Sequence, residues 1–351
     1  RLVPNDFRLK TVYGQGVENP VLVAVPMFIF MGTVLEKSGV AEELLRCLQI
    51  ILRRVPGGLA IAVTLLGTIM AATTGIVGAS VVMLTLIALP VMLEGRYSKE
   101  LSVGSIASAG TLGILIPPSI MLVIMGDLMQ IPVGTLFAAA VIPGLLMSMT
   151  YIVYIIILCW MKPHLAPPLE ANIGPQTWGA YWRMIIVTFS PPAFLIGLVL
   201  GSIFAGWATP TEAAGVGCAG AILLAAIKGR FGLATIRETI ESSALTTGLV
   251  FFIIFGATLF SYVFRALGGD DVVQEILVKA GLDTGWEVLL FVMLLVFVMG
   301  FFFDWVEICL VVIPIFSPIL SKLTFPGFIE GPKLVLLWFA TLLAVNMQTA
   351  F

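Results

Sequence analysis

The feature that most limits what this chain can fold into is a series of long apolar runs, at 184–204, 244–264, 288–303, 305–320 and 334–345, which together hold one charged residue, Glu307. A run of this length needs lipid or a large protein core around it. Five such runs in 351 residues, within a composition that is 60% hydrophobic and 11% charged, exceed what a soluble core encloses. Stretches such as "MLLVFVMGFFF" and "YIVYIIILCW" are continuously apolar. Transmembrane β-strands alternate instead, so the chain is read as an all-α polytopic membrane protein.

Several functions are excluded early. The net charge is −2 and no basic tract with interleaved aromatics exists, so nucleic acid is not a partner. Cys47, Cys159, Cys218 and Cys309 stand singly in apolar segments and read as buried small residues. His164, the single histidine, lies beside Pro163 in a polar loop, which does not support a transition-metal site of the His/Cys type. No GxxxxGK[ST] pattern is present, which argues against an ATP-driven pump. An enzyme would need convergent acids, bases or metal ligands, and the carboxylates are unclustered; the chain is read as neither an enzyme nor the holder of a cofactor. It opens on "RLVPNDFRLK" without Met and stops within "AVNMQTAF", so a fragment lacking both ends is expected.

Internal similarity points to duplication. A shift of 224 places Gly32 on Gly256, Pro90 on Pro314 and Ser80 on Asp304. The stretch 57–93 is interrupted at "TTGIVGAS" (73–80) and flanked by Arg53, Arg54, Arg96 and Lys99, which mark both flanks as cytoplasmic. It therefore reads as a re-entrant helical hairpin. The stretch 286–320 is interrupted at "MGFFFDWVE" (299–307), and its flanks, where acids offset lysines, read as the opposite face. Lys162, Arg183, Lys228, Arg230 and Arg237 fall on the cytoplasmic side of the trace. Two hairpins entering from opposite faces form an inverted-topology repeat, a signature of secondary transporters. The expected division is a first inverted repeat, 1–160, with hairpin 57–93 and broken helix 98–130; a linker loop and connecting helix, 161–204; and a second repeat, 205–351, with hairpin 286–320 and a truncated last helix. Long helices near 20–37, 184–204, 211–228 and 246–267 would form a scaffold, and amphipathic arms at 40–53 and 232–244 would lie at the cytoplasmic surface.

"GTLGILIPPSIML" (110–122) breaks a helix inside an apolar region, because each proline removes an N–H donor and disfavours helical geometry before it. At membrane depth such backbone is tolerated where protein buries it or a cavity wets it, and its free carbonyls can then coordinate cations. The break is either such a site or a kink that shapes packing. Facing it, "ATTGIVGAS" brings small and hydroxyl residues to a hairpin tip, which also suits plain helix packing. Asp304, a charge at membrane depth, either faces a cation or cavity or caps the following helix. Glu307 faces an aqueous cleft, and Asp127, at the outer end of the broken helix, is interfacial. In "TPTEAAGVG", Thr209 before Pro210 reads as an N-cap with Glu212 in the first turn.

"GILIPPSI", "WATPTEAAGVG" (207–217) and "LGGDDVV" with the later "FFFDWVEICLVVIPIFSPI" resemble the large, DctM-type membrane subunit of tripartite ATP-independent periplasmic (TRAP) transporters, over essentially the whole chain. The resemblance implies a sodium-driven importer of organic anions in the bacterial inner membrane, working by an elevator motion. It also implies a small DctQ-type membrane subunit, a periplasmic substrate-binding protein, and a fold like that of divalent-anion sodium symporters; a stand-alone symporter is the alternative. Carried over by position, a first sodium site takes Thr74, Gly75, Gly78, Ser80, Gly113, Ile114 and Pro117. A second takes Gly300, Asp304, Asn346, Gln348 and Thr349. Substrate would meet Thr73, Ser119 and Asp304, Na⁺ is the coupling ion, and lipid surrounds the whole. The Thr-Thr-Gly tip departs from the Ser-Gly-Ser pattern of sialic-acid members, so that substrate is not implied.

Overall fold

The apolar runs fold as helices, since only a helix satisfies every backbone N–H and C=O within its own segment. A computed structural model of the protein describes residues 19–74, 77–167, 174–175, 177–282, 284–325 and 327–349. The first helix, α1 (Ala24–Lys37), meets α2 (Val40–Leu52) at a 60° bend. Gly39 supplies the bend with φ 75°, a conformation that costs other residues more. α2 is amphipathic: Val40, Leu44, Leu45 and Leu48 are buried, while Glu42 and Glu43 face outward to Arg230 and Lys228. A third ion pair, Lys37 to Glu238 at 2.8 Å, lies at the same end.

The first hairpin consists of α3 (Gly58–Thr74) and α4 (Val77–Glu94). Next come α5 (Lys99–Thr111), capped by the Ser98 side chain on Leu101 N–H at 3.2 Å, and α6 (Ile120–Leu128). α7 (Val133–Met161), α8 (Trp178–Phe204), α9 (Pro210–Ile227) and α10 (Leu233–Ala266) are each long and apolar enough to cross a membrane. Only 11% of the most apolar window of α10 is buried, so lipid or a partner must cover the rest. The remaining helices are α11 (Gly269–Lys279), α12 (Gly285–Met299), α13 (Trp305–Leu320) and α14 (Pro332–Asn346). α12 and α13 are the second hairpin. Trp286 and Phe325 pack on Trp338 of α14 at centroid distances of 5.6 and 5.3 Å, away from its tip.

One sequence expectation is corrected here and another is refined. The arm expected at 232–244 is the start of α10, which runs unbroken for 34 residues. No Gly or Pro stands between Leu233 and Thr247, and Arg237 pairs with Glu241 one turn on, so nothing stops the helix. The shift of 224 holds at Gly32 and Gly256 and at Pro90 and Pro314 but is offset locally between them. Gly39 and Gly268, the left-handed residues that each start an amphipathic helix, are 229 apart, whereas Pro90 and Pro314 are 224 apart. The five-residue offset at the glycines is recovered before the prolines.

The helices pack around two main apolar clusters. One joins α2, the first hairpin and α5; the other joins α1, α6, α9 and the second hairpin. In the second, α9 lays a stripe of small residues, Ala213, Ala214, Gly217, Cys218 and Ala221, against α1 and α8. Such residues let helix backbones approach in lipid. All four cysteines are buried and free, as the sequence implied, and Cys218 donates to Met27 O at 3.0 Å. The capping box reading also holds: Glu212 N–H donates to Thr209 Oγ1 (3.3 Å) and Thr209 N–H to Glu212 Oε2 (2.8 Å).

The first hairpin meets α5 closely at Gly67, where a Cβ would stand 2.7 Å from the Ala109 carbonyl oxygen. Backbone cannot swing aside, so Gly67→Ala is expected to destabilise the purified protein by about 1–3 kcal/mol. Gly215→Ala, on open space, should be neutral or slightly stabilising. Thermal unfolding of the two variants against the parent checks both.

Candidate functional site

The break between α5 and α6 follows from its two prolines. Pro117 and Pro118, joined by a cis peptide bond, have no N–H to return to the carbonyls of Gly113 and Ile114. The chain first tightens into a 3₁₀ turn at Leu112–Ile114, with Leu115 and Ile116 N–H both donating to Leu112 O (3.1 and 3.0 Å). It then extends through Ser119 (φ −125°, ψ 135°) before α6 begins. Ser119 Oγ donates to Ile114 O at 2.6 Å, replacing one of the two lost donors. Gly113 receives no such replacement from Pro117. Every residue from Thr111 to Ile120 is buried, so the irregular backbone is enclosed by protein.

The first hairpin is held directly against this break. A Cβ on Gly110 would come within 2.3 Å of Val81 Cγ2 and 3.2 Å of Val81 N, so α5 and α4 touch beside the buried Ser80. The 3₁₀ turn packs on both arms. Ser80, Gly113, Ile114 and Pro117 therefore share one neighbourhood, while Gly78 faces open space. Gly75 and the side chains of Thr73 and Thr74 lie outside the described residues. Ser119 is fully buried and its proton is committed to Ile114, so its first role is to close the break.

A similar wedge recurs at the second hairpin. α14 ends in a 3₁₀ turn at Met347–Thr349, as α5 ends in one at Leu112–Ile114. Asn346 Nδ2 donates to Met293 O at 2.7 Å, and Met347 Sδ lies 3.7 Å from Cys309 Sγ, so the turn sits between the two arms. Met293 is seven residues before Gly300, which puts Asn346 about 10 Å from the tip. Gly300 is buried at the end of α12. Asp304 is exposed and caps α13, its Oδ1 accepting from Trp305 N–H at 2.8 Å. Gln348 is 4% exposed, and neither amide atom has a partner among the described residues. The buried Oε2 of Glu307 is likewise unpartnered. The Thr349 side chain lies outside the described residues.

Between α6, α10 and α13 lies a cavity of about 920 Å³ that the sequence did not disclose. Asp127, Thr258, Ser261, Tyr262 and Arg265 line it. Asp127 accepts from Asn19 Nδ2 at 2.7 Å. Arg265 crosses from α10 to α13 and donates to Pro314 O at 2.8 Å. The signal for that bond was available: Pro318 stands four residues after Pro314, so the Pro314 carbonyl has no helical donor.

The family model for the tripartite ATP-independent periplasmic transporter, DctM component, matches residues 6–351. The chain belongs to that family. The C4-dicarboxylate TRAP transporter large permease protein DctM of Pseudomonas aeruginosa is 32% identical over 87% of this chain and 70% of the relative. The ectoine/5-hydroxyectoine TRAP transporter large permease protein UehC of Ruegeria pomeroyi is 29% identical over 92% of this chain and 73% of its own. The isethionate TRAP transporter permease protein DctMQ of Oleidesulfovibrio alaskensis is 27% identical over 91% of this chain and 49% of its own. This TRAP large permease is thus a polytopic protein of the bacterial inner membrane that carries small organic acids, and not an enzyme.

Removing the Ser119 hydroxyl would leave the Ile114 carbonyl of this permease buried without a donor. Ser119→Ala is expected to cost about 1–3 kcal/mol of stability. Thermal unfolding measures it, and an unchanged melting temperature would show that another donor closes the break.

Proposed function

We propose that this chain is the membrane permease of a sodium-coupled importer of small organic anions that a periplasmic binding protein delivers, working with a DctQ-type small subunit. The observation that carries the reading is the paired wedge. At each hairpin a helix gives way to a 3₁₀ turn seated against the arms, with oxygen atoms nearby that are short of donors: the Gly113 carbonyl, which Pro117 leaves without its helical donor, at one, and Gln348 Oε1 and Glu307 Oε2, unpartnered among the described residues, at the other. A hard cation such as Na⁺ is bound by oxygen ligands, and broken helices at membrane depth supply them. Ser80, Gly113, Ile114 and Pro117 with the tip residues Thr74, Gly75 and Gly78 make the first site. Gly300, Asp304, Gln348 and Thr349 make the second, with Asn346 anchoring the turn to Met293 below the tip, and substrate binds at Thr73, Ser119 and Asp304.

The two hairpins belong to inverted halves, roughly 1–160 and 205–351, and move as one unit against a scaffold of α1, α8, α9 and α10. The relatives support the substrate class: the C4-dicarboxylate, ectoine and isethionate for which they are named are all small and polar, and all carry an anionic group.

Reconstitution in liposomes with the small subunit and a loaded binding protein tests the reading. Uptake is expected to need an inward sodium gradient, and Ser80→Ala is expected to raise the sodium concentration for half-maximal uptake. Asp304→Asn keeps a competent helix cap, since Asn caps about as well as Asp, so the variant should fold. It is expected to lose most sodium-driven uptake, because the cap uses Oδ1 alone and the negative charge at the hairpin tip is then available to a cation. Parental uptake by Asp304→Asn at limiting sodium would leave Asp304 with capping alone. Full uptake without the binding protein would make the chain a stand-alone symporter.

A further inference from the structure

The cavity between α6, α10 and α13 carries two charged groups of opposite sign that do not pair with each other. Arg265 donates to Pro314 O at 2.8 Å and forms a loose ion pair with Asp270 at 3.8 Å, too long for a hydrogen bond, so most of its N–H donors stay unspent. A guanidinium has five N–H donors, so the group can still grip a carboxylate. Thr258 and Ser261 precede it at spacings of seven and four on the same face of α10, and both line the cavity. Ser261 stands one turn before Arg265 and brings a hydroxyl to the cavity, whereas the Thr258 hydroxyl donates to Ile254 O at 2.8 Å. On another wall, Asp127 holds the negative pole, oriented by Asn19. Ile124 and Leu310 add apolar lining.

A volume of about 920 Å³ suits a small molecule, and the two poles specify its charge pattern. A dicarboxylate placed with one end on Arg265 would bring its other end toward Asp127, and like charges brought together oppose binding. A simple amine would face Arg265. We propose that this cavity is a binding site for a small zwitterion, with its carboxylate on Arg265 and Ser261 and its cationic group toward Asp127. The inference rests on the reading of the chain as a permease only in treating the occupant as cargo. It lies outside the residues assigned to the hairpin tips and breaks.

Thermal unfolding of the intact, detergent-purified protein at constant salt tests it with two probes, 4-aminobutyrate and succinate. 4-Aminobutyrate is expected to raise the melting temperature at concentrations about tenfold lower than succinate needs. No shift with either probe, or a shift with succinate at equal or lower concentration, would overturn the proposal. Arg265→Gln is expected to abolish the 4-aminobutyrate shift; its persistence would also overturn it. Asp127→Asn is expected to make succinate at least as effective as 4-aminobutyrate, a gain that misfolding cannot imitate. An unchanged preference in that variant counts against the site. These shifts are read without transport, so absence of sodium-driven uptake in liposomes would refute the permease mechanism and leave them standing.

Discussion

The constraint on which the rest of this structure depends is that no backbone carbonyl can be left bare in hydrocarbon. Pro117 and Pro118 strip the helical donors from Gly113 and Ile114, and the surrounding architecture answers that loss. Ser119 returns one donor, at 2.6 Å. Burial of the whole segment keeps the other carbonyl away from lipid. The break also lies where the chain leaves one apolar cluster for the other: α5 packs with the first hairpin, and α6 packs with the second. A continuous helix of about 30 residues could not do this, since it would carry α6 straight on past the first hairpin. The prolines therefore join the two hairpins through one buried corner.

The same chemistry recurs at Pro314 and Pro318 with a different outcome. Pro318 vacates the Pro314 carbonyl, and the donor that fills the place comes from Arg265 on another helix. A lost bond within one element becomes a bond between two. In a low-dielectric setting a charged donor on a carbonyl is stronger than the neutral bond it replaces. Arg265 thereby fixes α13 against α10 at the wall of the cavity and remains accessible to a ligand. Asp304 shows a related economy, since its carboxylate caps α13 through Trp305 N–H while its exposed position leaves the other oxygen open to water or an ion.

What the sequence made legible were features that single residues enforce. The proline pair located the break to the residue, and "TTGIVGAS" and "MGFFFDWVE" located the interruptions between paired helices. "TPTE" located a capping box. What stayed hidden depends on length and on pairing across the fold. The continuity of α10 was missed because a shift from polar to apolar composition at residue 244 looks like a boundary, although no residue there ends a helix. The local offset in the shift of 224 was hidden because apolar helices align at many offsets, whereas the left-handed Gly39 and Gly268, 229 apart, each start an amphipathic helix through backbone need. Asn346 was placed with Asp304 by position, yet its amide binds Met293 two turns below the tip. The cavity was invisible because Asp127 and Arg265 stand 138 positions apart and no periodicity links them.

The distribution of contact types shows where this structure yields most easily. α9 meets α1 and α8 through Gly217, Gly220 and neighbouring alanines, where an added Cβ would stand 2.4–2.5 Å from Leu195 or Met31. Interlocked surfaces of this kind resist sliding, because any displacement separates many close atom pairs at once. The contacts of α2 with the α9–α10 turn are different: Glu42 and Glu43 reach Arg230 and Lys228 through partly or largely exposed side chains. Each such pair contributes about 0–1 kcal/mol and is screened by salt, so breaking and remaking them costs little. The bend at Gly39 needs no repacking of α1 for α2 to change its angle, since glycine tolerates a wide range of φ. An inventory of the weakest joints thus leads to α2, which packs in one cluster with the first hairpin. A hairpin unit that moves against α1, α9 and α10 would exchange those ion pairs and pivot at α2, while the second hairpin would also have to slide along the apolar cluster it shares with α1 and α9.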